Sequence, residues 1–203
     1  GDFITVVIPE ELRGRSWLQF LRDRIALRLK TRLLFEPGIV VTNVPLVEEE
    51  RSRAQAHEGR PVEPERSVVL IPISAVHDAS VRAIVYAKSL HPTQVEALFL
   101  VSDPEEIDPV IEEWHTRKVD IPLVLIEAPF RDYDRPLLAE VRKHAGRRDT
   151  IVTVVLPEFI PRHWWENLLH NQTAFSFKRL LLFEPSVVVT SVPFHLRAPE
   201  VAG

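Results

Sequence analysis

The sequence predicts an α/β protein: a doubly wound, five-stranded parallel sheet of order 3-2-1-4-5, preceded by a βαβ fragment of a second unit of the same kind. Two observations predict it. From Arg66 onward, short β-branched runs alternate with helical stretches carrying one apolar stripe. The chain also repeats itself: residues 5–46 align without gaps on residues 153–194, and nineteen of those 42 positions are identical.

The repeat opens on Thr5, Val6, Val7, Pro9 and Glu10, matched by Thr153, Val154, Val155, Pro157 and Glu158. Trp17 matches Trp165, and Leu33-Leu34-Phe35-Glu36-Pro37 matches Leu181-Leu182-Phe183-Glu184-Pro185. Each copy reads as strand, helix, strand. Residues 4–8 and 151–156 are β-branched runs suited to buried parallel strands. Trp165, Leu168, Leu169 and Gln172 stand at i, i+3, i+4, i+7, one stripe of a helix. Glu184-Pro185 ends that pattern, and an extended run follows over 187–192, matched by 39–44 in the first copy.

Residues 47–65 hold nine charged side chains in nineteen and almost no apolar ones, the composition of a linker. Beyond it, residues 68–71 form a strand. Val81, Ile84, Val85 and Ala87 then give a helix face opened by Asp78 or Ser80 as cap. Residues 95–101 are the next strand, and Ile107, Val110, Ile111 and Trp114 are the apolar stripe of the next helix. A strand over 123–126 leads to a helix over 132–146, with Pro136 in its first turn and Gly146 just past its end. The second repeat copy completes the unit. Domains are therefore expected at 1–46 (the βαβ end of a unit whose front has been removed), 47–65 (linker) and 66–197 (complete unit), with a tail over 198–203.

Composition excludes several functions. Of 203 residues, 25 are basic and 29 acidic, a net charge of −4, so no nucleic-acid partner is expected. The absence of Cys removes disulfides, thiolate zinc sites and cysteine nucleophiles. Ser74, Ser102 and Ser191 lack the glycines of a nucleophile elbow, and no activated nucleophile is visible, so the chain is not expected to be an enzyme.

Residues 68–74 (VVLIPIS), 80–90 (SVRAIVYAKSL) and 95–106 (VEALFLVSDPEE) resemble the opening of universal stress protein domains. Residues 121–141, followed by 153–193 with their WWENLLHNQ, LLFEP and VVVTSVP strings, resemble the cytosolic C-terminal domain of bacterial amino-acid/polyamine/organocation superfamily permeases. The resemblance implies a universal-stress-protein-like fold and a non-catalytic regulatory domain of an amino acid or cation transporter, cytoplasmic, at the inner face of the membrane. Its partner would be an upstream membrane domain. In potassium-importing relatives it implies sensing of cyclic di-AMP. The alternative is a free-standing tandem universal stress protein that binds ATP or AMP. The glycine-rich phosphate loop of nucleotide-binding stress proteins is missing here, since residues 157–163 contain no Gly.

In an open parallel sheet, ligands bind where strand order reverses, at the carboxyl ends of the strands. Ser74, Ala75 and His77, after the first strand of the complete unit, would meet Arg162, His163 and His170 there. These six are the candidate nucleotide contacts, because donors at a helix start suit phosphates. His163, Glu166 and His170 are metal-ligand types, but i to i+7 is two turns, about 10 Å of rise, which strains one ion. No metal or resident cofactor is expected. Trp165 belongs to an apolar stripe, whereas Trp164, matched by Ser16, is freer to meet a ligand or partner. Strands 39–44 and 187–192 are expected to pair antiparallel across a pseudo-two-fold, and the chain to dimerise over what stays exposed.

Overall fold

A computed structural model describes residues 3–11, 32–33, 36, 38–46, 64–145, 149–160, 172–181, 184 and 186–195. The strands are β1 (Ile4–Glu11), β2 (Ile39–Leu46), β3 (Arg66–Ile73), β4 (Gln94–Val101), β5 (Leu123–Glu127), β6 (Thr150–Ile160) and β7 (Val187–His195). The helices are α1 (Asp78–Ser89), α2 (Ile107–Thr116), α3 (Asp134–Ala145) and α4 (Gln172–Leu181).

All seven strands join one sheet, in the order β1-β2-β7-β6-β3-β4-β5. The five strands expected over residues 66–197 are β3 to β7, and β1 and β2 extend the same sheet to seven through the β2–β7 edge that the sequence nominates. The N-terminal strands do not form a separate layer, because an edge strand left open is a liability and β7 offers a matching edge. Strands β3 to β7 pair parallel among themselves, as β1 does with β2. Among the described residues only β2 and β7 run antiparallel, through Val41↔Ser191, Thr42↔Thr190 and Asn43↔Val189.

Alternation along the strands fills a layer on each face. On one, Val69, Ile71, Phe99 and Val155 pack with Ala83, Ile84, Tyr86 and Ala87 of α1 and with Val110 and Trp114 of α2. On the other, Val68, Leu70, Leu98, Val152 and Val154 pack with Leu137 and Val141 of α3 and with Phe177 and Leu181 of α4. Each such fully buried aliphatic side chain contributes about 1.5–3 kcal/mol relative to exposure. Val85, read from the sequence as part of the α1 core face, is 53% exposed instead. The buried stripe of α1 runs through Ala79, Ala83, Tyr86 and Ala87, where small residues let the helix lie close to the sheet.

The helix ends follow local chemistry. Asp103 and Glu106 form a reciprocal capping box around Pro104, ahead of α2. Basic Arg142, Lys143 and His144 close α3 where the helix dipole is negative. Non-glycine residues in the left-handed region stop α1 at His91 (φ 49°) and α2 at Lys118 (φ 51°).

The sequence repeat is also a repeat of backbone detail. Ile4 donates to the Gly38 carbonyl at 2.9 Å, and its counterpart Val152 donates to Ser186 at 3.0 Å. Glu36 donates to Leu33 as Glu184 does to Leu181. Gly38 and Ser186 both hold positive φ, 84° and 61°, as the turn into the following strand requires.

Candidate functional site

The strand order reverses between β3 and β6. The pairing of β3 with β6 ends at Leu70↔Val154, while β4 continues alongside β3 to Ile73↔Phe99. This divergence marks the switch point at the carboxyl ends, the crevice position where open α/β sheets take ligands.

One wall is the turn from β3 into α1. Ser74 is exposed, and Ala75 and His77 are half-buried. His77 is the N-cap of α1, its backbone extended at φ −133°. Its Nδ1 accepts the Ser80 backbone N–H at 3.1 Å. The Ser80 hydroxyl donates to the Ala75 carbonyl at 2.7 Å and lies 3.0 Å from the same Nδ1. The cap is therefore His77, rather than Asp78 or Ser80 as the sequence suggests. An Nδ1 that accepts an amide must be unprotonated, which puts the neutral ring's proton on Nε2. Burial lowers the His77 pKa below the ordinary histidine value, its own backbone raises it, Arg117 lowers it further and Asp78 raises it.

The facing wall is the end of β6 and β7. The Phe159 ring stands edge-on to His77 with centroids 4.5 Å apart, and Phe194 meets Phe159 at 6.1 Å. On the opposite face of β6 from Phe159, Glu158 is 3% exposed and ion-paired with Lys178 of α4. Sequence reasoning passed over this pair, although the repeat signals it: Glu10 and Lys30 occupy the matching positions of the first copy.

A polar and aromatic clamp extends from the crevice toward the N-terminal strands. Arg82 Nε donates to the Pro193 carbonyl at 3.1 Å, and its guanidinium lies 5.1 Å from the centre of the Phe3 ring. Phe3 packs edge-on against Tyr86 at 5.2 Å, and the Tyr86 hydroxyl is 3.1 Å from Thr5 Oγ1. One helix thus holds both repeat copies.

Of the six candidate contacts, Ser74, Ala75 and His77 stand together on the crevice wall. Arg162, His163 and His170 lie outside the described residues, as do Trp164, Trp165 and Glu166. Among the described residues no group of three or more His, Asp or Glu side chains is placed to hold a metal ion, and no helix is long and apolar enough to cross a membrane.

Residues 1–46 and 65–194, both repeat copies without the segment between them, match the family described as the KimA potassium transporter C-terminal domain. The chain belongs to this family. A curated relative, the potassium transporter KimA of Bacillus subtilis (strain 168), is 29% identical over 140 residues. Those residues are 68% of this chain and 23% of the relative, so the chain spans under a quarter of that protein's length. The family match places this chain with a transporter's C-terminal domain. The relative is a potassium transporter, which gives the amino-acid alternative no support.

Proposed function

We propose that this chain is a non-catalytic regulatory domain of a potassium transporter, lying at the cytoplasmic face of the membrane and responding to a nucleotide bound in the β3–β6 crevice. The observation that carries the reading is the family match across both repeat copies, joined to a crevice at the switch point of the sheet. Cyclic di-AMP suits the crevice better than ATP. The glycine-rich loop that wraps a triphosphate is missing from residues 157–163, whereas the aromatic cluster of His77, Phe159 and Phe194 is the surface against which a purine would pack. Ser74 and the Nε2 of His77 are donors for its phosphodiester. On the sequence reading, Arg162, His163 and His170 would complete the contact.

Titration calorimetry on the chain tests this, with cyclic di-AMP and ATP in separate runs. The reading expects saturable binding of cyclic di-AMP at one site per chain, weakened at least tenfold by Phe159→Ala. Tight ATP binding with no heat from cyclic di-AMP would favour a stress-protein-like nucleotide carrier instead. No binding of either would remove the nucleotide from the reading.

A further inference from the structure

The turn Pro129–Arg131, between β5 and α3, is the most exposed apolar point among the described residues. Phe130 is 101% exposed, at φ 60° and ψ 20°. Arg131 follows at φ 58°, so two successive non-glycine residues sit in the left-handed region. Such a conformation persists only where its surroundings impose it, and such residues cluster at binding elements. The bracing is visible on both sides. Ala128 is fully buried and donates its N–H to Val101 at 2.8 Å. Asp132 N–H closes the turn on the Pro129 carbonyl at 3.3 Å, and the Asp134 carboxylate accepts the Ser176 hydroxyl at 2.8 Å. The fold holds an aromatic ring outward.

We propose that this turn touches the lipid bilayer, with Phe130 entering the headgroup region and Arg131 meeting lipid phosphates. The proposal rests on the membership of this chain in a membrane transporter, not on ligand binding in the crevice. Shape favours lipid over a protein partner. Phe130 is flanked by exposed Pro129, Arg131 and Asp132, so the apolar area is one ring on a convex tip. A stable protein interface needs about 800 Å² from each partner around an apolar centre, and this tip does not supply it. A ring with an adjacent guanidinium suits the boundary between headgroups and acyl chains. Asp132 is engaged by Arg135 at 3.5 Å, which leaves the Arg131 charge to face phosphate. The neighbouring turn after β4 carries exposed Asp103, Glu105 and Glu106, so the contact is limited to Phe130 and Arg131 and is made to neutral lipid. One aromatic anchor is weak in a free protein. In a domain tethered to the membrane, high effective concentration makes it sufficient to set orientation.

The chain has no Cys, so Asp132→Cys carries a single nitroxide label. The labelled chain is tethered through an N-terminal histidine tag to phosphatidylcholine vesicles containing a nickel-chelating lipid. The spectrum is then read for collision with oxygen and with a water-soluble nickel complex. The proposal expects the oxygen-to-nickel collision ratio to rise at least threefold on tethering. It expects that rise to vanish in Phe130→Ser and to persist in Phe130→Trp. A ratio unchanged on tethering, or a rise that Phe130→Ser leaves intact, overturns it. Unaltered thermal unfolding of Phe130→Ser checks that the fold is kept, and if it falls, Phe130→Gln takes its place. Calorimetry with cyclic di-AMP needs no vesicles, so failure of the two readings is distinguishable.

Discussion

Thr42 and Thr190 face each other across the β2–β7 seam with their Oγ1 atoms 2.9 Å apart, and both are buried. They occupy the same position in the two copies of the repeat, as do Val41 with Val189 and Asn43 with Ser191. The pairings Val41↔Ser191 and Asn43↔Val189 therefore exchange under a two-fold axis that runs between the two threonines. A duplicated unit meets its own copy here as two identical subunits would meet in an isologous dimer.

The threonine pair should behave as a coupled unit. Thr42→Val or Thr190→Val alone leaves a buried hydroxyl without its partner and should cost about 1–3 kcal/mol. The double replacement removes both groups and should cost less than the sum of the single changes, with a coupling of about 0.5–1.5 kcal/mol. Urea unfolding of the four proteins gives this directly. Strictly additive losses would mean that the hydroxyls do not interact.

The Glu158–Lys178 pair should show the asymmetry of a buried ion pair. Lys178→Met leaves a buried carboxylate uncompensated and should destabilise by about 3–5 kcal/mol. Adding Glu158→Leu should recover most of that loss. Chemical denaturation of the single and double variants is the measurement, and a double variant no more stable than Lys178→Met would count against the pairing.

His77 should make stability depend on pH. Its folded-state pKa lies below the unfolded value of about 6.5, so the unfolded chain binds the proton more readily. The contribution of the neutral cap is complete above about pH 6.5 and is lost as pH falls from there through the lowered folded-state value. His77→Asn keeps an N-cap acceptor and removes the titration, so its stability should fall less over that window. His77→Ala should lose about 1 kcal/mol above pH 6.5 through the missing cap. Thermal unfolding at stepped pH follows both.

The repeat itself nominates a stabilising change. Ser186 holds φ 61° where the first copy has Gly38 at 84°. Ser186→Gly removes the steric penalty of a left-handed non-glycine residue and should raise stability by about 0.5–1 kcal/mol, with Gly38→Ser lowering it by a similar amount. Opposite signs for these two changes, seen in urea unfolding, are the expected outcome.

The strands were legible in the sequence because β-branched runs fall into step with the repeat. The antiparallel seam was legible for the same reason: residues 39–44 and 187–192 are near-identical edges. That seam is what merges both copies into one seven-stranded sheet, so the merging was legible as well. The α1 register was misread at Val85 because local periodicity does not encode how close a helix lies to its sheet. A helix held against a sheet buries small residues, Ala79, Ala83 and Ala87, and hydrophobicity alone ranks them below valine. The switch-point rule nominated Ser74, Ala75 and His77, and the structure puts all three on the turn from β3 into α1. The capping role of His77 was not, since histidine is an uncommon N-cap. Arg162, His163 and His170 fall outside the described residues, so their half of the crevice rests on the sequence.

Potassium uptake by the parent transporter, with this domain intact and with it removed, tests the regulatory reading most directly. The measurement is made in cells that lack other potassium importers, at low and high cyclic di-AMP. The account predicts that uptake by the shortened transporter persists and no longer changes with the nucleotide, while the intact protein responds to it. A shortened transporter that is inserted in the membrane but transports nothing, or one that keeps the full nucleotide response, would contradict it.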